Sequence, residues 1–115
     1  MTEAGPVLAF DTSGTFVTAA LVADTGVMAL AHEDLARGQA ERLFPLLDAM
    51  LAGAGLGWRD LAGLRVGIGP GNFTGIRIAV AAARGLALSL ARPAIGVSRL
   101  EAQALGLPRP LVSTV

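Results

Sequence analysis

The stretch Gly67-Ile68-Gly69-Pro70-Gly71-Asn72-Phe73-Thr74-Gly75-Ile76-Arg77 decides the fold, because it separates two runs of different period. Before it lies the short, mostly apolar run Leu64 to Ile68, and after it the long helix-like run Ile76 to Leu90. The order is strand, tight glycine loop, helix start. Glycine tolerates positive φ and lets another backbone or a ligand come close, while the Thr74 hydroxyl is placed to cap the helix. Two readings of Gly69, Gly71, Thr74 and Gly75 stand side by side: an anion site at a helix N-terminus, or a tight turn fitted under a neighbouring backbone. No Gly-Lys-Ser/Thr follows, so the loop is not a P-loop.

Outward from the loop, Val7 to Phe10 is apolar and leads through Asp11 into the turn-forming Thr12-Ser13-Gly14-Thr15. Phe16 to Ala23 and Val27 to Glu33 follow as β-like segments, separated by the turn Asp24-Thr25-Gly26. Three strands with no room for a helix between them predict an antiparallel meander. From about Gln39 to Leu51 the residues Leu43, Leu46, Leu47, Met50 and Leu51 recur at helical spacing. Pro45 means that this helix either begins close to Arg42 or kinks. Trp58-Arg59-Asp60-Leu61 predicts a short turn that lays the indole over the edge of the core. Ala94 to Val97 is a fifth strand, and Ser98 to Leu105 a third helix, with Ser98 and Glu101 forming a capping box. Leu111 to Val115 looks like the beginning of another strand. The order βββαβαβα predicts a five-stranded mixed sheet with helices on its faces, the ribonuclease H-like arrangement of an α/β protein.

The chain of 115 residues suits one domain, burying on the order of 65% of its unfolded surface. Nine acidic and nine basic residues cancel, so no global field draws nucleic acid or an anionic membrane. All the basic residues are arginine, a bias that genomic composition explains as readily as function. Without cysteine there is no disulfide framework or thiol catalysis, and with His32 the single histidine there is no Cys/His zinc cluster. A reducing, cytoplasmic setting fits. Met1 to Pro6 lacks the basic start and apolar run of a signal peptide, and Ile78 to Leu90, interrupted by Arg84, falls short of the roughly 20 residues of a membrane span.

Asp11 also carries two readings. With Ser13 and Thr15 it forms a weak nucleotide or phosphate contact, the carboxylate facing a hydrated metal ion and the hairpin amides holding a phosphate; alternatively, it closes its own turn. Arg77 is less ordinary, since a cation in the first turn of a helix opposes the macrodipole and calls for a compensating negative group, either a carboxylate of this protein or a partner's. In the second helix Ala79, Ala83 and Ala87 form a small-residue stripe that permits close packing. The adjoining Val80, Arg84 and Leu88 and the loop-end Arg77, with Leu43, Leu47 and Met50 of the first helix, are expected to form an apolar partner face rimmed by arginine. The remaining serines lack a histidine placed for a triad, and no catalytic residue or metal-ligand set stands out.

Leu8-Ala9-Phe10-Asp11-Thr12-Ser13, Glu41-Arg42-Leu43-Phe44-Pro45-Leu46-Leu47, the loop Gly67 to Arg77, Gly85-Leu86-Ala87-Leu88 and Gly96-Val97-Ser98 occur in the order of the TsaB family, also called YeaZ, and the chain resembles it over most of its length. The resemblance implies the first, ribonuclease H-like lobe of an actin-like ATPase fold. It implies a non-catalytic subunit for threonylcarbamoylation of adenosine 37 in tRNA, paired through its first two helices with the catalytic paralogue TsaD. The ATPase TsaE would join that assembly, tRNA would be met only through it, and a homodimer on the same helices is the family's other pairing. No tightly bound cofactor is implied, with ATP or ADP and Mg²⁺ expected only at a partner interface. Gln39 stands where many relatives have histidine, and the family's second lobe does not follow within residues 1–115. The alternative is the first lobe of an actin-like small-molecule kinase, resting on Asp11 and its hairpin. A nuclease of this fold would want an acid where the chain has Gly67-Ile68-Gly69.

Overall fold

The computed structural model describes residues 5–98 and 112–114, the last three as backbone. Strands β1 (Val7–Asp11), β2 (Phe16–Ala23) and β3 (Gly26–Asp34) are followed by helix α1 (Gln39–Gly53), a 3₁₀ turn at Trp58–Asp60, β4 (Gly63–Gly67), α2 (Phe73–Leu90), β5 (Ala94–Val97) and β6 (Val112–Thr114). The five strands read from the sequence are present, each end within one residue of its expected place. The sheet nevertheless has six strands, ordered β3-β2-β1-β4-β5-β6, because the β-branched ending pairs antiparallel with β5. The expected helix at Ser98 to Leu105 lies outside the described residues beyond Ser98.

Turns short enough for hairpins make β1, β2 and β3 antiparallel, whereas the helical crossovers make β1, β4 and β5 parallel. Register then builds the core. Leu21, Leu8, Leu64 and Ala94 lie opposite one another across four strands, and Ala19, Phe10, Val66 and Gly96 form the next row. All eight are buried, on the face that packs with both helices into one apolar cluster. The opposite face alternates through half-buried Val7, Ala9, Thr18 and Ala20. Between Leu21 and Val22 the register with β3 slips by a bulge, and Val22, Val27, Met28 and Leu30 stand exposed on this outermost ribbon.

Helix α1 starts at Gln39, so Pro45 sits inside it rather than in a first turn near Arg42. It buries Leu43, Leu46, Leu47, Met50 and Leu51 against the sheet. Three of these, Leu43, Leu47 and Met50, were expected on a partner face; at 1%, 0% and 8% exposure they are core. The reason is packing. Helix α1 packs over β2 and β3, and its leucines with Met50 are the large side chains it turns towards that part of the sheet.

Helix α2 does the opposite, burying only Gly75, Ala79 and Ala83 and so lying close to the sheet. By length and hydropathy alone its 18 residues are apolar enough to cross a bilayer, beyond what the sequence reading allowed, yet its small edge belongs to this core. The cap is Asn72, whose Oδ1 accepts from the Gly75 N–H at 2.9 Å; Thr74 is exposed in the first turn and does not cap. The 3₁₀ turn behaves as read, with Trp58 packed at the margin of the core, its Nε1–H donating to Asp48 at 2.7 Å.

Candidate functional site

Two features are built where β1 and β4 end. The first is a knot between the Thr12–Thr15 turn and the glycine loop. Asp11 Oδ1 accepts from the Ser13 N–H at 2.7 Å, the turn-closing arrangement, and a Cβ at Gly67 would run into Asp11 Oδ2. Thr12 is fully buried and its hydroxyl donates to the Gly75 carbonyl at 2.5 Å. The Asn72 N–H donates to the Ser13 carbonyl at 2.5 Å. A Cβ at Gly75 would collide with the Thr12 carbonyl oxygen, and one at Gly71 with that of Ser13. These glycines are therefore needed because one backbone lies directly on another. Gly69 is buried at φ +97°, where a side chain would also be strained.

Of the two readings of the loop, the geometry realises the tight turn under a neighbouring backbone. The amide of Asn72 is used by Ser13 and that of Gly75 by the cap. Among the described residues no group of three acidic, histidine or cysteine side chains is close enough to hold a metal ion. Ser13 Oγ is buried and finds no hydrogen-bond partner among the described residues. Thr15 is exposed, and its carbonyl accepts from the Leu35 N–H at 2.9 Å.

The second feature is the face formed by α1 and α2. Between the helices runs an open groove of about 610 Å³, walled by Ala40 and Phe44 on one side and by Ile78, Ala82 and Leu86 on the other, with buried Leu43 at its floor. A different set of small residues of α2, Ala81, Ala82 and Gly85, lines the groove and keeps it open. Large apolar groups also stand exposed on the two helices: Phe44, which lines the groove, is 41% exposed, and on α2, outside the groove lining, Leu88 is 85% and Phe73 72% exposed. Val80 is half-buried and Arg84 exposed, as an outward stripe requires. Arg77 lies exposed with its guanidinium carbon 5.5 Å from the centre of the Phe73 ring, so its company among the described residues is an aromatic face and not a carboxylate of this chain; of the two sources expected for a compensating negative group, that leaves the partner's. The exposed charges differ by helix, Glu41 and Asp48 on α1 against Arg77 and Arg84 on α2.

Of the residues that the sequence singled out for a partner face, Leu43 lies at the groove, whereas Arg77, Val80, Arg84 and Leu88 lie on α2 outside its lining; Phe44, Ile78, Ala82 and Leu86 were passed over. Phe44 carried the signal, since it is the one large apolar residue of α1 out of phase with the buried set. Thr12 and Asn72 were also passed over; an Asn three residues before a glycine in a helix start is a capping pattern.

Residues 30–110 match the family described as TsaD, tRNA N6-adenosine threonylcarbamoyltransferase. The chain is 40% identical over 101 residues to the tRNA threonylcarbamoyladenosine biosynthesis protein TsaB of Escherichia coli, an alignment covering 87% of this chain and 43% of that protein. The solved structure of YeaZ from Pseudomonas aeruginosa superposes with a TM-score of 0.81 at 36% identity, covering 87% of this chain and 46% of that one. RuvC of Thermus thermophilus, at 14% identity and a TM-score of 0.56, shares the ribonuclease H-like fold alone. The chain spans less than half the length of the curated TsaB relative. With 81 of its 115 residues inside the family match and its TsaB and YeaZ relatives alike in sequence and backbone, the chain belongs to the TsaD-type threonylcarbamoyltransferase family, on its TsaB (YeaZ) branch.

Proposed function

We propose that this chain is the first lobe of an accessory, non-catalytic subunit in the synthesis of threonylcarbamoyladenosine at position 37 of tRNA, and that it docks a TsaD-type catalytic subunit through the α1–α2 face. The observation that carries the reading is the open apolar groove lined by exposed Phe44, together with exposed Phe73 and Leu88 elsewhere on α2, apolar surface of the kind that marks protein interfaces. Catalysis is left to the partner, since Asp11 is engaged in its own turn and the Asn72 and Gly75 amides are engaged by Ser13 and by the Asn72 side chain. ATP or ADP with Mg²⁺, a TsaE-type ATPase and the tRNA would then meet this cytoplasmic subunit only in the assembly.

A second copy of the chain is the other occupant that a specific observation favours. Opposite charges on α1 and α2 suit a two-fold pairing in which α1 of one protomer meets α2 of its partner. The catalytic paralogue is preferred because the TsaB relative is named for threonylcarbamoyladenosine biosynthesis, the product of a TsaD-type threonylcarbamoyltransferase. The test is calorimetric titration of the TsaD-type subunit with the wild type and with Arg84→Glu/Leu88→Asp. Both positions are exposed, so the variant is expected to melt like the wild type and to bind at least about thirtyfold more weakly. Unchanged affinity would remove the α1–α2 face as the docking site, and a wild type that only self-associates would favour the second copy.

A further inference from the structure

Helix α1 begins at Gly38 in the left-handed region, φ +84°, with no side-chain hydrogen bond capping its first turn. Its fastening comes from elsewhere. The Gln39 amide nitrogen donates to the Gly14 carbonyl at 3.2 Å and to the Leu35 carbonyl at 2.9 Å. Gly14 belongs to the same four-residue turn whose Thr12 hydroxyl holds the Gly75 carbonyl and whose Ser13 carbonyl holds Asn72. One turn therefore grips the N-terminal ends of both helices. The groove wall on α1 starts at Ala40, the residue next to Gln39, and that on α2 begins at Ile78, one helical turn after Thr74. A second tie on α1, Arg42 to Glu33, fixes the helix to the edge strand and not to α2.

We propose that Gln39 and Thr12 are positioning residues which, through the Thr12–Thr15 turn, set the spacing of α1 and α2 and hence the shape of the groove. The turn is fit for this because it does not yield: Thr12 and Ser13 are fully buried, and the Thr12 and Ser13 carbonyls leave no room for a Cβ at Gly75 or Gly71. A shift of the turn is passed to both helix starts as a rigid displacement. The effect on partner affinity rests on the pairing proposed above, whereas the coupling of the helices does not.

Amide spectra of the full chain, recorded below the melting transition of every variant, test the coupling without any partner. Gln39→Leu is expected to shift the amides of Gly75 to Ile78 on α2, and Thr12→Val those of Ala40 to Phe44 on α1. Gln39→Glu, equal in length but with no donor, must behave as Gln39→Leu does; a merely space-filling role would leave it like the wild type. Shifts confined to the substituted side of the turn would overturn the coupling. In titrations with the TsaD-type subunit each single variant should bind about fivefold more weakly, one hydrogen bond's worth, and the double variant by less than the product of the two. Multiplying effects would mean that the residues act separately and would overturn the shared turn. Wild-type affinity in Arg84→Glu/Leu88→Asp would instead count against the docking site, leaving the spectra to decide the coupling.

Discussion

Helices α1 and α2 are both rich in apolar residues, yet they use them in opposite directions. In α1 the large side chains go inward, and of its aromatic and leucine residues only Phe44 is left substantially exposed. In α2 the inward positions are Gly75, Ala79 and Ala83, and the large residues Phe73 and Leu88 point to solvent. Hydrophobicity alone does not say which side of a helix is the core side. Distance to the sheet does: a close helix must put small residues inward, and what is left over becomes a surface.

The sharpest way to break this contrast is to truncate one leucine in each helix. Leu47→Ala, at a position with no exposure, is expected to lose about 2–5 kcal/mol in urea unfolding. Leu88→Ala, at 85% exposure, should stay within about 0.5 kcal/mol. Equal losses would mean that α2 is covered as α1 is. Next comes Gly75→Ala, which drives a methyl group into the Thr12 carbonyl and should cost about 1–3 kcal/mol by forcing the two backbones apart.

Gly85→Ala has the reverse sign. A Cβ there meets nothing within 4 Å, so helix propensity should raise stability by about 1 kcal/mol in a thermal melt. The added methyl group enters the groove, so the same variant should bind a partner less well. Stability and affinity moving together would contradict a docking role for the groove.

The smallest effect is expected at Glu33. Two 2.7 Å hydrogen bonds from Arg42 hold its carboxyl below the usual carboxylate range, and the same pair holds the guanidinium proton more tightly. A lowered folded pKa means that this stabilisation is complete above the ordinary carboxylate value and fades as pH falls through the lowered one. Glu33→Gln should therefore flatten the acid limb of the stability profile slightly, and added salt should hide the difference, since the pair is partly exposed.

The sheet was legible because period and turn chemistry agree along it. Val7 to Asp34 alternates between turns rich in Gly, Asp, Ser and Thr, and the Leu64-to-Val97 unit announces a parallel crossover. The face of α1 was not legible, because its leucines satisfy the pattern of a core helix and of a docking helix equally. What decided between them is the packing of α1 on β2 and β3, which joins residues distant in sequence; within α1 only Phe44, out of phase with the leucines, marks the outward side. The knot was half legible: the glycines pointed to a close approach, but that it is Thr12 and Ser13 which lie on them joins positions 63 residues apart in the case of Thr12 and Gly75. The α2 start was misread at Thr74 because Asn72 lies before the first apolar residue of the helix, within what looked like loop.

The bulge between Leu21 and Val22 also bears on how the molecule behaves in concentrated solution. β3 is nine residues long and forms one border of the sheet, and among the described residues no strand pairs with its outer edge. A bulge increases local twist and breaks the regular ladder spacing next to Val27, Met28 and Leu30. The greasiest part of the border is thus the part whose shape fits a flat strand worst, and its other end carries Glu33 and Asp34. Fibrous stacking along this border is disfavoured by geometry at one end and by charge at the other.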